Sequence, residues 1–266
     1  MTIYRGLSGV NREVKQQYRG LSGVNRELIY QYRGYGGVNR QVFSARIGGI
    51  DANTLMCLHA EDLTTDSAYS RTITNTGVTL DSSGKFRNCL NFNGNSNFTL
   101  GMPSQLNVGS YDFTIDFWIY PTSSSKGVIL AFGGKAARYY GCMYVSLDSG
   151  GGGTTLRARF ANTSDSVIYE KYSNVLTLNV WNHVAIVRYG TSLKVYINGT
   201  TSSAFTATIS GTLSSPASYG ENAIIGWNLN ENYSSFGLHA KLDEIRLSNI
   251  ARWTVDFKPP AIEYST

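Results

Sequence analysis

The sequence predicts an all-β protein: a two-sheet antiparallel jelly-roll β-sandwich preceded by a segment of β-hairpin repeats. Three observations carry this prediction. Apolar and polar residues alternate with a period of two over several short runs, the pattern of a strand with one buried face. Polar turn residues separate those runs at short intervals. The composition favours strands and turns over helices, with 28 Gly, 18 Tyr and many Ser, Thr and Asn. Many strands with few helices pack most simply as two facing sheets. The one helical expectation is a single turn around Asn249–Trp253.

The chain begins with a repeat. Tyr4 to Glu13 recurs unchanged from Tyr18 to Glu27, and a third copy runs from Tyr32 to Gln41, a period of 14 residues. Each copy reads as two short strands, with Leu7-Ser8-Gly9 as the turn and Val10 to Lys15 alternating outward from it. So short a segment buries little apolar area by itself, so association of several chains is expected, with a homotrimer favoured. Residues 1–46 hold eight basic and two acidic side chains, a net +6. The other 220 residues hold fifteen basic and sixteen acidic, a net −1, so the overall basicity belongs to the repeat. Its arginines sit at fixed repeat positions beside tyrosines. A solvated or inter-chain arginine ladder explains that as well as nucleic-acid binding does, and nucleic acid is not the expected partner.

Gly48-Gly49 and Asp51-Ala52-Asn53 mark a boundary, giving a repeat domain over 1–47 and a sandwich over 48–266. In the second part Phe113, Ile115, Phe117 and Ile119 share one face of a strand that Pro121 ends. His183 to Arg188 and Leu193 to Gly199 form a hairpin, with Leu193, Val195 and Ile197 inward and Lys194 and Tyr196 outward. Cys142–Leu147 and Thr154–Phe160 form another, with Gly150–Gly153 as its tip. Asn222–Trp227 and Leu238–Leu247 supply further strands. No apolar run is long enough to span a membrane as a helix, so membrane insertion is not expected. The first residues lack the apolar core of a signal peptide, which leaves two readings: the protein is not secreted by that route, or its leader is not in this sequence. Cys57, Cys89 and Cys142 are too few and too widely spaced for a disulfide framework or a zinc motif. Buried thiols are the reading, with a Cys57–Cys89 bridge left open.

Four segments, in order, resemble the concanavalin A-like lectin/glucanase superfamily in its laminin-G-like branch. They are Thr54–His59, Phe113–Pro121, Trp181–Arg188 with Leu193–Gly199, and Leu242–Leu247. The ending Ala251–Pro260 is similar to versions attached to phage tail and fibre proteins, and the 14-residue repeat resembles short repeats of phage structural proteins. The resemblance implies a β-sandwich over roughly 52–262 and a place in a virion or prophage-derived particle, with other virion proteins and a host cell-surface glycan as partners. A ligand-free virion decoration and an unrecognised glycan hydrolase are the alternatives.

Hydrolysis needs two carboxylates, about 5–5.5 Å apart for retention or 6.5–9.5 Å for inversion. Hydrolases of the superfamily carry Glu-x-Asp-x-x-Glu on the strand resembling 113–119. Here only Asp112 and Asp116 stand there, about 13 Å apart at ~3.3 Å per residue. The glutamates are missing, so a non-enzymatic binding module is expected, with Asp116 in a polar network of the sheet. His59, His183 and His239 read as structural. Asp243 and Glu244 are adjacent, which in a regular strand sends them to opposite faces. Some laminin-G-like modules bind Ca²⁺, and Asp62 and Asp243 resemble their ligand positions, so calcium is a candidate ion although none is required. For sugar, the candidates are the aromatic and amide residues of two loops: Tyr139 and Tyr140, and Trp227, Asn228, Asn230, Asn232 and Tyr233.

Overall fold

Hydrophobic alternation builds the chain into two units, Met1–Ile47 and Gly48–Thr266. The computed structural model describes residues 14–19, 25–35 and 38–42 by their backbone, then 49–101, 104–132, 143–149, 154–161, 167–209, 211–213, 222–227 and 237–264.

The N-terminal unit is a three-stranded antiparallel sheet of β1 (Val14–Arg19), β2 (Asn25–Tyr35) and β3 (Val38–Val42), in that order. Tyr18 pairs with Arg26 across β1 and β2, and Arg33 with Arg40 across β2 and β3. The second copy has Tyr18 and Arg19 at the end of β1 and Asn25 at the start of β2, and the third has Tyr35 at the end of β2 and Val38 at the start of β3, so in each a strand stands on either side of the turn position. Leu28, Ile29, Tyr30 and Tyr32 are continuous β-formers, so β2 runs on from one copy into the next.

The second unit follows with β4 (Thr54–Leu58), β5 (Thr65–Asp66), β6 (Arg71–Thr76), β7 (Thr79–Asp81), β8 (Cys89–Asn93), β9 (Asn97–Leu100), β10 (Phe113–Pro121), β11 (Gly127–Phe132), β12 (Met143–Asp148), β13 (Thr154–Ala161), β14 (Val167–Leu176), β15 (Asn182–Tyr189), β16 (Ser192–Ile197), β17 (Thr200–Thr208), β18 (Ala223–Ile225) and β19 (His239–Ser248). The first sheet has the order β17-β16-β15-β10-β19-β8-β7, with β4 also paired to β19. The second has the order β14-β13-β12-β11-β18-β9-β6-β5. The all-β sandwich expected from the sequence is the fold. Among the described residues the helical element is a 3-10 turn at Ser104–Leu106, and none lies at Asn249–Trp253. There the backbone N–H of Arg252 donates to Thr114 Oγ1 at 2.9 Å, a tertiary bond in place of a helical one.

The core lies between the sheets. Phe113, Ile115, Phe117 and Ile119 of β10 enter it together with Val184 and Ile186 of β15, as their alternation predicts. Phe113 meets Phe160 of β13 across the interior, with ring centroids 5.5 Å apart. Each such fully buried ring stabilises the fold by about 1.5–3 kcal/mol.

The opposite face of the first sheet departs from the expected polar exterior. Thr114, Asp116 and Trp118 are buried, and so is Tyr196, which alternation alone turns to solvent. The chain after β19 folds back over this face. Trp253 packs with Ala185, Val187 and Tyr196, and stacks on Phe257 at 4.1 Å. Phe257 N–H donates to Gly199 O at 2.9 Å. Gly199 has φ +80°, and a Cβ there would stand 1.9 Å from Phe257 O, so only glycine admits this approach.

Beneath this cover lies a buried ion pair. Arg246 and Asp116 are both 0% exposed and pair in a forked arrangement, Nε to Oδ1 at 3.0 Å and Nη2 to Oδ2 at 2.9 Å. Arg246 Nη1 donates to Gly49 O, Tyr264 OH donates to Asp116, and the Tyr264 ring lies 3.9 Å from the guanidinium carbon. Burial works against the charged guanidinium, but Asp116 and Tyr264 outweigh it, and its pKa is raised. Removing one member strands the other charge in the interior. Arg246→Met is accordingly expected to lower the unfolding free energy by about 3–5 kcal/mol, read from urea denaturation. A loss within about 0.5 kcal/mol would mean the pair is not a structural anchor.

Candidate functional site

Loops at the end of the sandwich where β10 begins form a groove of about 370 Å³, lined by Leu55, Tyr69, Ser104, Asn107, Tyr111 and Asn249. Four separate segments build it. Leu55 of β4 is buried and forms its apolar floor. Tyr69 sits in the turn between β5 and β6, closed by Ser70 N–H to Asp66 O at 2.7 Å. Tyr111 sits in the turn before β10, closed by its own N–H to Val108 O at 2.9 Å. Asn249 follows β19 and donates its N–H to Asn53 O at 3.0 Å.

Both tyrosines line this space and are strongly exposed, Tyr69 at 49% and Tyr111 at 72%. Tyr69 is braced from one side. The Arg71 guanidinium lies 4.5 Å from its ring centroid and is itself tied to Leu55 O at 2.7 Å and to Asp66. Asp66 is fully buried and accepts Cys57 N–H at 2.8 Å and Ala68 N–H at 3.0 Å. Burial raises its pKa despite these donors. Asn107 Oδ1 takes Gly109 N–H at 3.1 Å, which orients that amide within the loop. Among the described residues the groove thus offers two tyrosine rings, two amides and a hydroxyl, with neither carboxylate nor imidazole in its lining. That set stacks and hydrogen-bonds a neutral polar ligand.

Of the residues nominated from sequence, Trp227, Asp62 and Asp243 are described, and none of these three lines the groove. Trp227 follows β18 at the other end of the sandwich, where Leu238 N–H meets Gly226 O and Thr122 N–H meets His239 O. It is half-buried and lies against Gly237. Tyr139, Tyr140, Asn228, Asn230, Asn232 and Tyr233 lie outside the described residues, as does Cys142. Asp62 and Asp243 have separate partners. Asp62 accepts from Thr64 and Thr65, and those hydrogen bonds lower its pKa. Asp243 accepts Lys85 N–H at 3.1 Å and Phe86 N–H at 3.4 Å. Asp112 caps Gly190 N–H at 2.7 Å, so both acids of the β10 region have structural partners. Cys57 and Cys89 are buried free thiols.

One sequence expectation is corrected. Asp243 and Glu244 do not take opposite faces. A β-bulge opposite Phe117, with Glu244 at φ +52°, turns both onto the outer face while Leu242 and Ile245 stay in the core. Burial, reinforced by the Glu244 charge, pushes Asp243 up to about 7. The same bulge sends Glu244 toward His59, and with Cys57 these three bring potential metal-ligand atoms within 4.8 Å of one another.

A laminin-G family model of the concanavalin A-like lectin/glucanases superfamily matches residues 92–253. No curated protein matches the sequence. Among solved structures, domain 4 of AbnA, an extracellular arabinanase from Geobacillus stearothermophilus, in complex with arabinotriose, superposes with a TM-score of 0.53 at 17% identity, covering 75% of this chain and 93% of that one. The binding domain of Paraclostridial mosquitocidal protein 1 superposes at 0.56 with 16% identity, over 75% of this chain and 49% of that one. A botulinum neurotoxin type C structure, described by cell entry dependent upon interaction with two ganglioside molecules, gives 0.56 at 15% identity, over 76% and 49%. The chain spans about half the length of these toxin structures. At such identities the likeness is one of fold.

The Asp243 shift has a definite sign. Its folded value, about 7, stands above its ordinary 3.8. Between those values the folded chain holds a proton that the unfolded chain has released, so stability falls as pH rises through the window and levels off above it. Asp243→Asn removes that slope. The variant is expected to gain on the wild type by a few kcal/mol between about pH 4 and 7 in urea denaturation. Parallel curves would assign Asp243 an ordinary titration.

Proposed function

The chain belongs to the concanavalin A-like lectin/glucanases superfamily, and from that premise we propose that it is a non-enzymatic carbohydrate-binding module whose ligand lies between Tyr69 and Tyr111. The observation that carries this reading is the groove itself: about 370 Å³ lined by two exposed tyrosines and a buried leucine, with two asparagines and a serine. A sugar ring has an apolar face and an equatorial rim of hydroxyls. The tyrosines take the first, and Asn107, Asn249 and Ser104 take the second. Catalysis is not supported. Among the described residues the lining has no carboxylate, and Asp112 and Asp116 are both engaged in the fold. The arabinotriose held by domain 4 of AbnA is consistent with sugar binding on this fold.

The biological setting is a second layer of the proposal. The module is carried on a phage or phage-derived particle, and the basic repeat joins several chains, a trimer being favoured. Support comes from the similarity of the repeat and of residues 251–260 to phage proteins. The β1-β2-β3 order adds to it, since among the described residues β1 and β3 each have one edge free of pairing within that sheet. Such edges suit pairing between chains.

A glycan-array screen of the full chain, followed by calorimetry on the best hit, tests the binding site. Removing a ring that covers about 50 Å² of sugar is worth roughly 1–2 kcal/mol, so Tyr69→Ala and Tyr111→Ala should each weaken binding about five- to thirty-fold. Unchanged affinity in both would remove the groove as the site. For the repeat, light scattering should show an oligomer for the full chain and a monomer once residues 1–46 are deleted. A monomeric full chain would contradict the assembly role.

A further inference from the structure

Cys57 and His59 are two residues apart on and just after β4, so both turn to the outer face of the first sheet. Cys57 Sγ stands 3.7 Å from His59 Nε2. A tetrahedral zinc ion holds thiolate sulfur at about 2.3 Å and imidazole nitrogen at about 2.0–2.1 Å, which sets those two ligand atoms roughly 3.6 Å apart. One ion between Sγ and Nε2 therefore reaches both without moving the strand. The other ring nitrogen, Nδ1, is 2.8 Å from Glu244 Oε1. Such a carboxylate behind the ring holds the proton on Nδ1 and leaves the Nε2 lone pair for a metal. Glu244 is in turn fixed, since Tyr264 N–H donates to its Oε2 at 2.6 Å.

The electrostatic setting is that of a cation site. Glu244, Glu263 and Asp243 all act on His59 to favour positive charge. Burial and the Glu244 charge raise the Cys57 pKa well above its ordinary value, while Arg246, itself paired with Asp116, favours the thiolate. The cluster is closed on one side and open on the other: Cys57 is fully buried, while the His59 side chain is 15% exposed and gives an ion its approach.

We propose that Cys57 and His59, oriented by Glu244, form a binding site for a divalent transition-metal ion of the zinc class. Sulfur and nitrogen donors select such an ion over calcium or magnesium, which take oxygen ligands. On binding, the Cys57 S–H bond breaks, its proton leaves to solvent, and a sulfur–metal bond replaces it. Two protein ligands leave further positions on the ion for water or for an outside group. The site lies on the outer face of the first sheet and stands or falls independently of sugar binding.

Cobalt(II), a spectroscopic substitute for zinc, tests this on the full, untagged, reduced and chelator-treated chain. Titration should produce a thiolate-to-cobalt charge-transfer band that saturates at stoichiometric metal and is displaced by zinc. Cys57→Ser should abolish the band and Cys89→Ser should keep it. Glu244→Gln should weaken cobalt binding about 10–100-fold. If circular dichroism shows that Cys57→Ser does not fold, His59→Gln decides instead, with at least ten-fold weaker binding expected. No band in the wild type, a band that survives Cys57→Ser, or unchanged affinity in His59→Gln would overturn the assignment, and unchanged affinity in Glu244→Gln would remove its orienting carboxylate.

Discussion

The forked pair between Asp116 and Arg246 is the interaction around which the sandwich is arranged. It places two full charges where neither meets water, a position that is tolerated only because each remaining polar valence finds a partner. Those partners are Gly49 O and the hydroxyl of Tyr264, one before the first strand of the sandwich and one beyond the last. Both ends of the domain are thereby tied to the middle of one sheet. Once Tyr264 is there, the segment from Asn249 onward lies across the outer face and brings Trp253 and Phe257 onto Val187 and Tyr196. The middle strands of the first sheet are then covered on both faces. Their inner side meets the second sheet and their outer side meets the chain's own C-terminal segment.

That arrangement has a functional consequence. Strands covered on both faces present no broad surface to a ligand, so recognition moves to the loops at their ends. At the end where β10 begins, the loops are short and held by backbone bonds, and they carry two exposed tyrosines on fixed turns. Tyr69 is further supported by Arg71, whose own charge is matched by buried Asp66. A ring held in place before the ligand arrives loses little freedom on binding, which favours affinity from a small contact area. The cover also concentrates acidic and imidazole groups over β4 and β19, where the Glu244 bulge turns two neighbouring carboxylates the same way.

The fold was legible because its signals are local. Phe113 to Ile119 alternate within seven residues, and the His183–Gly199 hairpin displays both strands and its turn together. The missing glutamates on β10 were equally plain. The groove was not legible, because Leu55, Tyr69, Tyr111 and Asn249 come from four segments that only the tertiary fold brings together. Composition instead drew attention to the loop after Trp227, where aromatics and amides are crowded in sequence. Tyr69 and Tyr111 gave one usable signal: each is a lone aromatic among small polar residues beside a strand. The bulge at Glu244 left no trace in the pattern, since a single extra residue in a strand is invisible until its partners are known. Polar Asp116 within an apolar strand did announce a buried network, but its partner stands 130 residues away.

The most direct measurement is nuclear magnetic resonance mapping of the full chain titrated with a panel of neutral oligosaccharides. The account predicts that the resonances of Tyr69, Tyr111, Asn107 and Asn249 shift together and saturate with one ligand, while Trp227 and the residues after it stay still. Shifts confined to the Trp227 end, or no shift with any sugar of the panel, would contradict it.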